Sequence, residues 1–175
     1  VKSLSLCKYG QVLYAFIDES ERDDSFYFLG ALVLDQPQLQ NLTSSLDLIM
    51  ETIAVDFNFI LSTQELHGSE IMRAAESPWR HLPFKYREMI FKKVLLAIGD
   101  SGARGYIEGI DIQKHLQKDY NIHYSPRELA FSYLLERVNG TSPTADPKIK
   151  IFADNHHTAP QSRTNFELYQ DYGTF

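Results

Sequence analysis

Two hydrophobic runs in this chain end in an aspartate: Val12-Leu-Tyr-Ala-Phe-Ile-Asp18 and Lys148-Ile-Lys-Ile-Phe-Ala-Asp154. A carboxylate among apolar neighbours is costly unless it is paired or bound to a metal. Two such carboxylates brought close together repel, and a hard divalent cation with oxygen ligands, Mg²⁺ or Mn²⁺, relieves that repulsion. Cations held in this way can flank a phosphodiester, one activating water and one stabilising the leaving oxygen. An Asp after a strand also serves as a turn or cap residue bonding nearby backbone amides, so each aspartate alone has two readings.

Glutamates supply the remaining carboxylates. Ser125-Pro-Arg-Glu128 is a capping box with Pro at the first helical position, which accounts for Glu128 without any chemistry. From the first turn of that helix, the same carboxylate could also face metals at the strand ends. Glu136 lies eight residues on, about 80° round the helix, and is the second candidate, with an exposed pairing as its alternative. The cluster Glu65-Leu-His-Gly-Ser-Glu70 contains no H-E-x-x-H or paired cysteines, so it is not a zinc signature. His67 could contact phosphate or transfer a proton, or be a surface or core histidine. His156 and His157 read as loop polarity, with contact to metal or substrate as the alternative. No G-x-S-x-G elbow and no phosphate-binding G-x-x-x-x-G-K-[ST] loop occurs, which excludes those hydrolase classes.

The elements that must position these groups are legible as patterns. Val12 to Asp18 reads as a strand buried on both faces and central in a sheet. After a polar, Asp-rich turn, Phe26 to Leu34 reads as a second strand, and the short connection implies an antiparallel hairpin. Pro37 opens a helix carrying Leu39, Leu42, Leu46, Ile49, Met50 and Ile53 at helical spacing. Phe57 to His67 reads as extended, and Pro78 and Pro83 bracket a turn around Trp79. A second helix is expected from Phe84 to Ile98, with Tyr86, Met89, Ile90, Val94 and Ala97 facing inward. Arg104 to Ile112 alternates as a half-buried strand. The capping-box helix ends near Asn139-Gly140, and Lys148 to Asp154 is the last strand. Because it follows a helix, it is expected to lie parallel to its neighbour. The class is α/β, a mixed sheet with an antiparallel opening hairpin and flanking helices. Ligands in such sheets bind at the carboxyl ends of the strands.

Bulk properties narrow the classes further. With 175 residues and 43% hydrophobic content the chain is long enough for a substantial core. No apolar run is long enough to cross a bilayer and no signal peptide opens the chain, so no membrane partner is expected. The one cysteine, Cys7, excludes an internal disulfide and points to a reducing cytoplasm. The net charge of −6 counts against a dedicated duplex-DNA-binding module. It does not exclude a nuclease, whose metal-binding acids contribute negative charge.

Tyr14-Ala-Phe-Ile-Asp-Glu-Ser20, Phe26 to Leu34, Glu65 to Glu70, Leu134-Leu-Glu-Arg137 and Ile149 to Asp154 together resemble a bacterial and phage family, the domain-of-unknown-function family numbered 3800. The resemblance spans about residues 12 to 155, and Asp18-Glu-Ser after an apolar strand is its most distinctive block. It implies a ribonuclease-H-like domain over residues 1–175 and a metal-dependent nuclease acting on RNA or DNA. By position, Asp18 and Asp154 would be metal ligands and Glu128, ahead of Glu136, the helix acid. His67 matches a recurring His or Lys block, and Glu19, Glu65 and Glu70 are further candidates. The family pattern usually ends with a strand and a helix bearing Gln-x-x-Ala-Asp, which supplies a last acid. Nothing here matches that block, and Glu167 and Asp171 are weak substitutes. The expectation is therefore a fragment or a domain that has lost this element, with a sheet edge left open to self-association. The competing expectations are a non-catalytic ribonuclease-H-like module binding nucleic acid or protein, and a hydrolase of nucleotides or other phosphate esters.

Overall fold

The computed structural model describes residues 12–22, 25–119, 124–141 and 148–153. The chain forms β1 (Val12–Arg22), β2 (Phe26–Asp35), α1 (Gln36–Asp56) and α2 (Gly68–Arg73). A 3-10 turn at Trp79–His81 precedes α3 (Phe84–Asp100), and β3 (Arg104–Asp111), α4 (Ile112–Leu116), α5 (Pro126–Asn139) and β4 (Lys148–Ala153) follow. Two compact units result: residues 36–103 form one, and the segments before and after them form the other.

The outer segments build an α/β unit on a four-stranded mixed sheet of order β3-β2-β1-β4. β1 pairs with β2 as the antiparallel hairpin its short turn dictates. β2 pairs antiparallel with β3, and β4 runs parallel to β1 with register from Val12↔Lys148 to Ile17↔Ala153. The central position of β1 and the parallel β4 match the sequence expectations.

Helix α5 covers one sheet face. Ala130, Leu134 and Val138, one helical turn apart, pack on Ala15, Ile17, Leu29, Ala31 and Val33. Burying a leucine such as Leu134 is worth about 1.5–3 kcal/mol, and Ala15, Ala31 and Ala130 keep the facing backbones close. The far end of the helix is pinned to β3. Arg137 pairs with Glu108, the Thr141 hydroxyl donates to the Tyr106 hydroxyl at 2.8 Å, and Arg104 donates to the Thr141 carbonyl at 2.8 Å.

β1 is not buried on both faces. Ala15 and Ile17 are inside, whereas Phe16, on the opposite face, keeps 38% of its surface. A nearly unbroken apolar run hides this alternation, because Tyr14 and Phe16 are apolar without being enclosed.

Residues 36–103 have their own core of Met50, Ile53, Ile60, Ile71, Trp79, Leu82 and Ile90. Arg87 ties its parts together, donating to the carbonyls of Ile71 at 3.1 Å, Met72 at 2.7 Å and Leu82 at 3.1 Å. Residues 57–67 are turns rather than a strand: the amides of Phe57, Ile60 and Gln64 donate to Ile53, Phe57 and Leu61. Of the residues expected to face inward on α3, only Ile90 is fully buried, and Tyr86 and Met89 are exposed. The helix packs against α1 and α2. Past its end, Gly102 has φ 73°, and the Gln38 side-chain amide donates to its carbonyl at 2.9 Å.

Candidate functional site

Alternation along β1 sends Asp18 and Glu19 to opposite faces of the sheet. Ala15, Ile17 and Glu19 share the face that α5 covers, and Tyr14, Phe16 and Asp18 share the other. Asp18 is exposed, and its Oδ1 accepts the amide of Glu19 at 2.9 Å. Its cross-strand partner is Gly30, which adds no side chain beside the carboxylate. A glycine inside a strand often marks a place where another group approaches the backbone closely. Asp18 thus stands exposed on a central strand, and among the described residues it bonds the Glu19 amide.

Glu19 is engaged. Its carboxylate accepts from the Tyr27 hydroxyl at 2.8 Å and pairs with the Arg127 guanidinium at 3.3 Å, joining β1, β2 and the first turn of α5. Glu128 is engaged as well. Its Oε2 accepts the Ser125 amide at 2.8 Å, while the Ser125 hydroxyl accepts the Glu128 amide at 3.2 Å. Both halves of the capping box are therefore formed. Glu136 lies on the exposed side of α5, away from the buried Leu134, Leu135 and Val138.

The Glu65–Glu70 cluster belongs to the compact unit of residues 36–103. Glu65, His67 and Glu70 are exposed, and Ile71 just beyond them is in the core. His67 precedes α2, its Nδ1 lies 3.0 Å from the Ser69 hydroxyl, and its carbonyl accepts the Ile71 amide. Asp154 lies outside the described residues, as do Cys7, His156, His157, Glu167 and Asp171. Among the described residues no three His, Cys, Asp or Glu side chains are grouped closely enough to hold a metal ion. None of the described helices is long and apolar enough to cross a membrane.

Several polar and aromatic groups carry more structure than their sequence signals suggested. Asp111 caps α4: its carboxylate accepts the Lys114 amide at 3.0 Å and pairs with the Lys114 ammonium at 3.0 Å. Those contacts, the amide bond foremost, hold its carboxyl below the usual aspartate range. His115 is buried and its Nε2 donates to the Tyr124 carbonyl at 2.8 Å. On the Asp18 face, the rings of Phe16 and Phe152 stack with centroids 5.0 Å apart and planes 14° apart. Tyr14 lies nearly parallel to Phe152 at 6.5 Å, with the Lys150 ammonium 5.6 Å from the Tyr14 ring centre. The signal for this ladder was present as aromatics two residues apart on β1 opposite an alternating Lys-x-Lys-x-Phe on β4.

Comparison with protein-family models, curated proteins and solved structures gave no significant match.

Proposed function

We propose that this chain is a ribonuclease-H-like, metal-dependent nuclease related to the family numbered 3800, with Asp18 and Asp154 as its central metal ligands. One observation carries the reading. The parallel β1–β4 register ends at Ile17↔Ala153, and the next residue in sequence on each side is an aspartate. Carboxylates that follow paired positions on adjacent parallel strands suit a hard divalent cation. The antiparallel opening hairpin, the parallel fourth strand and the helix on the sheet fit the same fold expectation.

In this reading Asp18 and Asp154 would hold Mg²⁺ or Mn²⁺, which when bound supplies a nucleophilic water at neutral pH and charge neutralisation at the phosphate. Carboxylate oxygens are the right donors for those ions. Glu128 would join them by leaving the Ser125 amide, and Glu19 acts through Arg127 by fixing the turn that carries Glu128. His67 stays a candidate for phosphate contact or proton transfer, Glu136 the alternative helix acid, and Glu65 and Glu70 lesser candidates. Nucleic acid is the substrate class and a reducing cytoplasm the setting.

A non-catalytic nucleic-acid- or protein-binding module is the second reading. It is favoured by the occupied capping box at Glu128 and by the lack of a three-ligand cluster among the described residues. Cleavage of labelled single-stranded, duplex and hybrid oligonucleotides with Mn²⁺ separates the two. The nuclease reading predicts that Asp18→Asn lowers the rate by roughly a hundredfold or more. Equal rates in the variant and the wild type, or no cleavage by either, would leave the binding module.

A further inference from the structure

Helix α5 covers one face of the sheet, and the opposite face carries an aromatic ladder. It is enclosed at Leu34 and open at Phe16 and Phe152. Leu34, opposite Tyr14, is fully buried, whereas Phe16 and Phe152 keep 38% and 48% of their surface. Phenylalanines are normally enclosed, and two stacked rings left half open on a sheet mark a contact surface. On the β3 side of this face the Phe28 ring lies against Gly109, whereas Gly105 adds no side chain and Ile107 is 74% exposed.

Charge and geometry select the occupant. Lys148, Lys150 and Phe152 alternate along β4, on the same face as Phe16, and both lysines are exposed. Rings that take successive bases, flanked by cations that follow the phosphates, are the chemistry of single-strand binding. A partner protein's apolar patch would be met as well by the rings but has no use for the two ammonium groups. A duplex keeps its base faces stacked inside and cannot use the rings at all. Asp18 lies on this face two residues beyond Phe16, about 7 Å along the strand.

We infer that Phe16 and Phe152, with Lys148 and Lys150, form a base-stacking platform that holds single-stranded nucleic acid beside Asp18. This deepens the nuclease reading by naming its substrate as unpaired strand, and it rests on that reading for the role of Asp18. A base stacked on Phe152 with its phosphate drawn towards the lysines would set a neighbouring phosphodiester near the Asp18 carboxylate. It also offsets the chain's acidity, because the two cations act locally within a screening length of about 10 Å at 0.1 M salt.

The test is fluorescence anisotropy with a labelled single-stranded 12-mer in EDTA, so that binding is read without cleavage. The platform predicts measurable binding by the full chain and roughly 5- to 150-fold weaker binding for Phe152→Ala. Phe152→Leu keeps an apolar side chain without a π face. It should fold as the wild type does by circular dichroism and still lose most of the affinity. Lys150→Gln should flatten the salt dependence by roughly 0.7 in log–log slope. Wild-type affinity in Phe152→Leu, equal affinity for duplex, or no binding by the wild type would each overturn the platform. So would self-association by the wild type that Phe152→Leu abolishes while leaving affinity for the strand unchanged. The nuclease reading fails separately: strand binding that depends on Phe152 without Mn²⁺-dependent cleavage keeps the platform and removes the nuclease. Cleavage that Phe152→Leu leaves unchanged does the reverse.

Discussion

Asp18 and Glu19 are sequence neighbours with opposite surroundings, and their substitutions should separate accordingly. Glu19 is half-buried and holds Tyr27 and Arg127. Glu19→Gln is expected to cost about 1 kcal/mol in urea unfolding, since it weakens a charged hydrogen-bond pair. Asp18 is exposed and bonds only the next amide among the described contacts. Asp18→Asn should change stability by less than about 0.5 kcal/mol, so any loss of activity would be chemical. Asp111 offers a pH test. Its folded-state pKa lies below the ordinary value near 3.9, chiefly through the Lys114 amide. Its contribution is therefore full above that value and lost as pH falls through the folded pKa. Asp111→Asn should be less stable than wild type at pH 6, with the difference closing below about pH 3.9. At this scale Asp18 was legible from an acid ending an apolar run, but its face was not. Tyr14 and Phe16 look as buried as Ala15 and Ile17 until a second element shows which side is covered.

Among the elements, α5 was the most legible because its start is written in local chemistry: Ser125, Pro126 and Glu128 form the cap that the sequence implies. Ser125→Ala should cost about 1 kcal/mol. Only the bond from the Glu128 amide to the hydroxyl is lost, because the backbone amide at position 125 still donates to the Glu128 carboxylate. Leu134→Ala, at the centre of the α5–sheet contact, should cost 2–5 kcal/mol by chemical denaturation. The hairpin and β4 were legible from short connections and apolar runs. The segment 57–67 was not, since Phe57, Phe59 and Leu61 alternate like a strand while the amides of Ile60 and Gln64 close turns. Nor was the covered stripe of α3. Helical spacing shows which residues share a face, whereas the width of that face depends on what α1 and α2 cover.

On the scale of the whole molecule, composition and pattern were enough for a mixed α/β sheet, and the four-stranded order β3-β2-β1-β4 bears that out. The compact unit of residues 36–103 left no comparable trace, because its core is gathered from α1, α2, the Trp79 turn and α3 rather than from one repeating pattern. The site was less legible than the fold for a physical reason. A metal centre depends on carboxylates from distant segments meeting within a few ångströms, and spacing in sequence does not encode that distance. In the proposed site Asp18 and Asp154 share a divalent cation. Calorimetric titration of Mn²⁺ into the wild type, Asp18→Asn and Asp154→Asn tests it most directly. Saturable binding by the wild type, weakened more than roughly tenfold by either substitution, is the predicted result. Wild-type affinity in either variant, or no binding by the wild type, would contradict it.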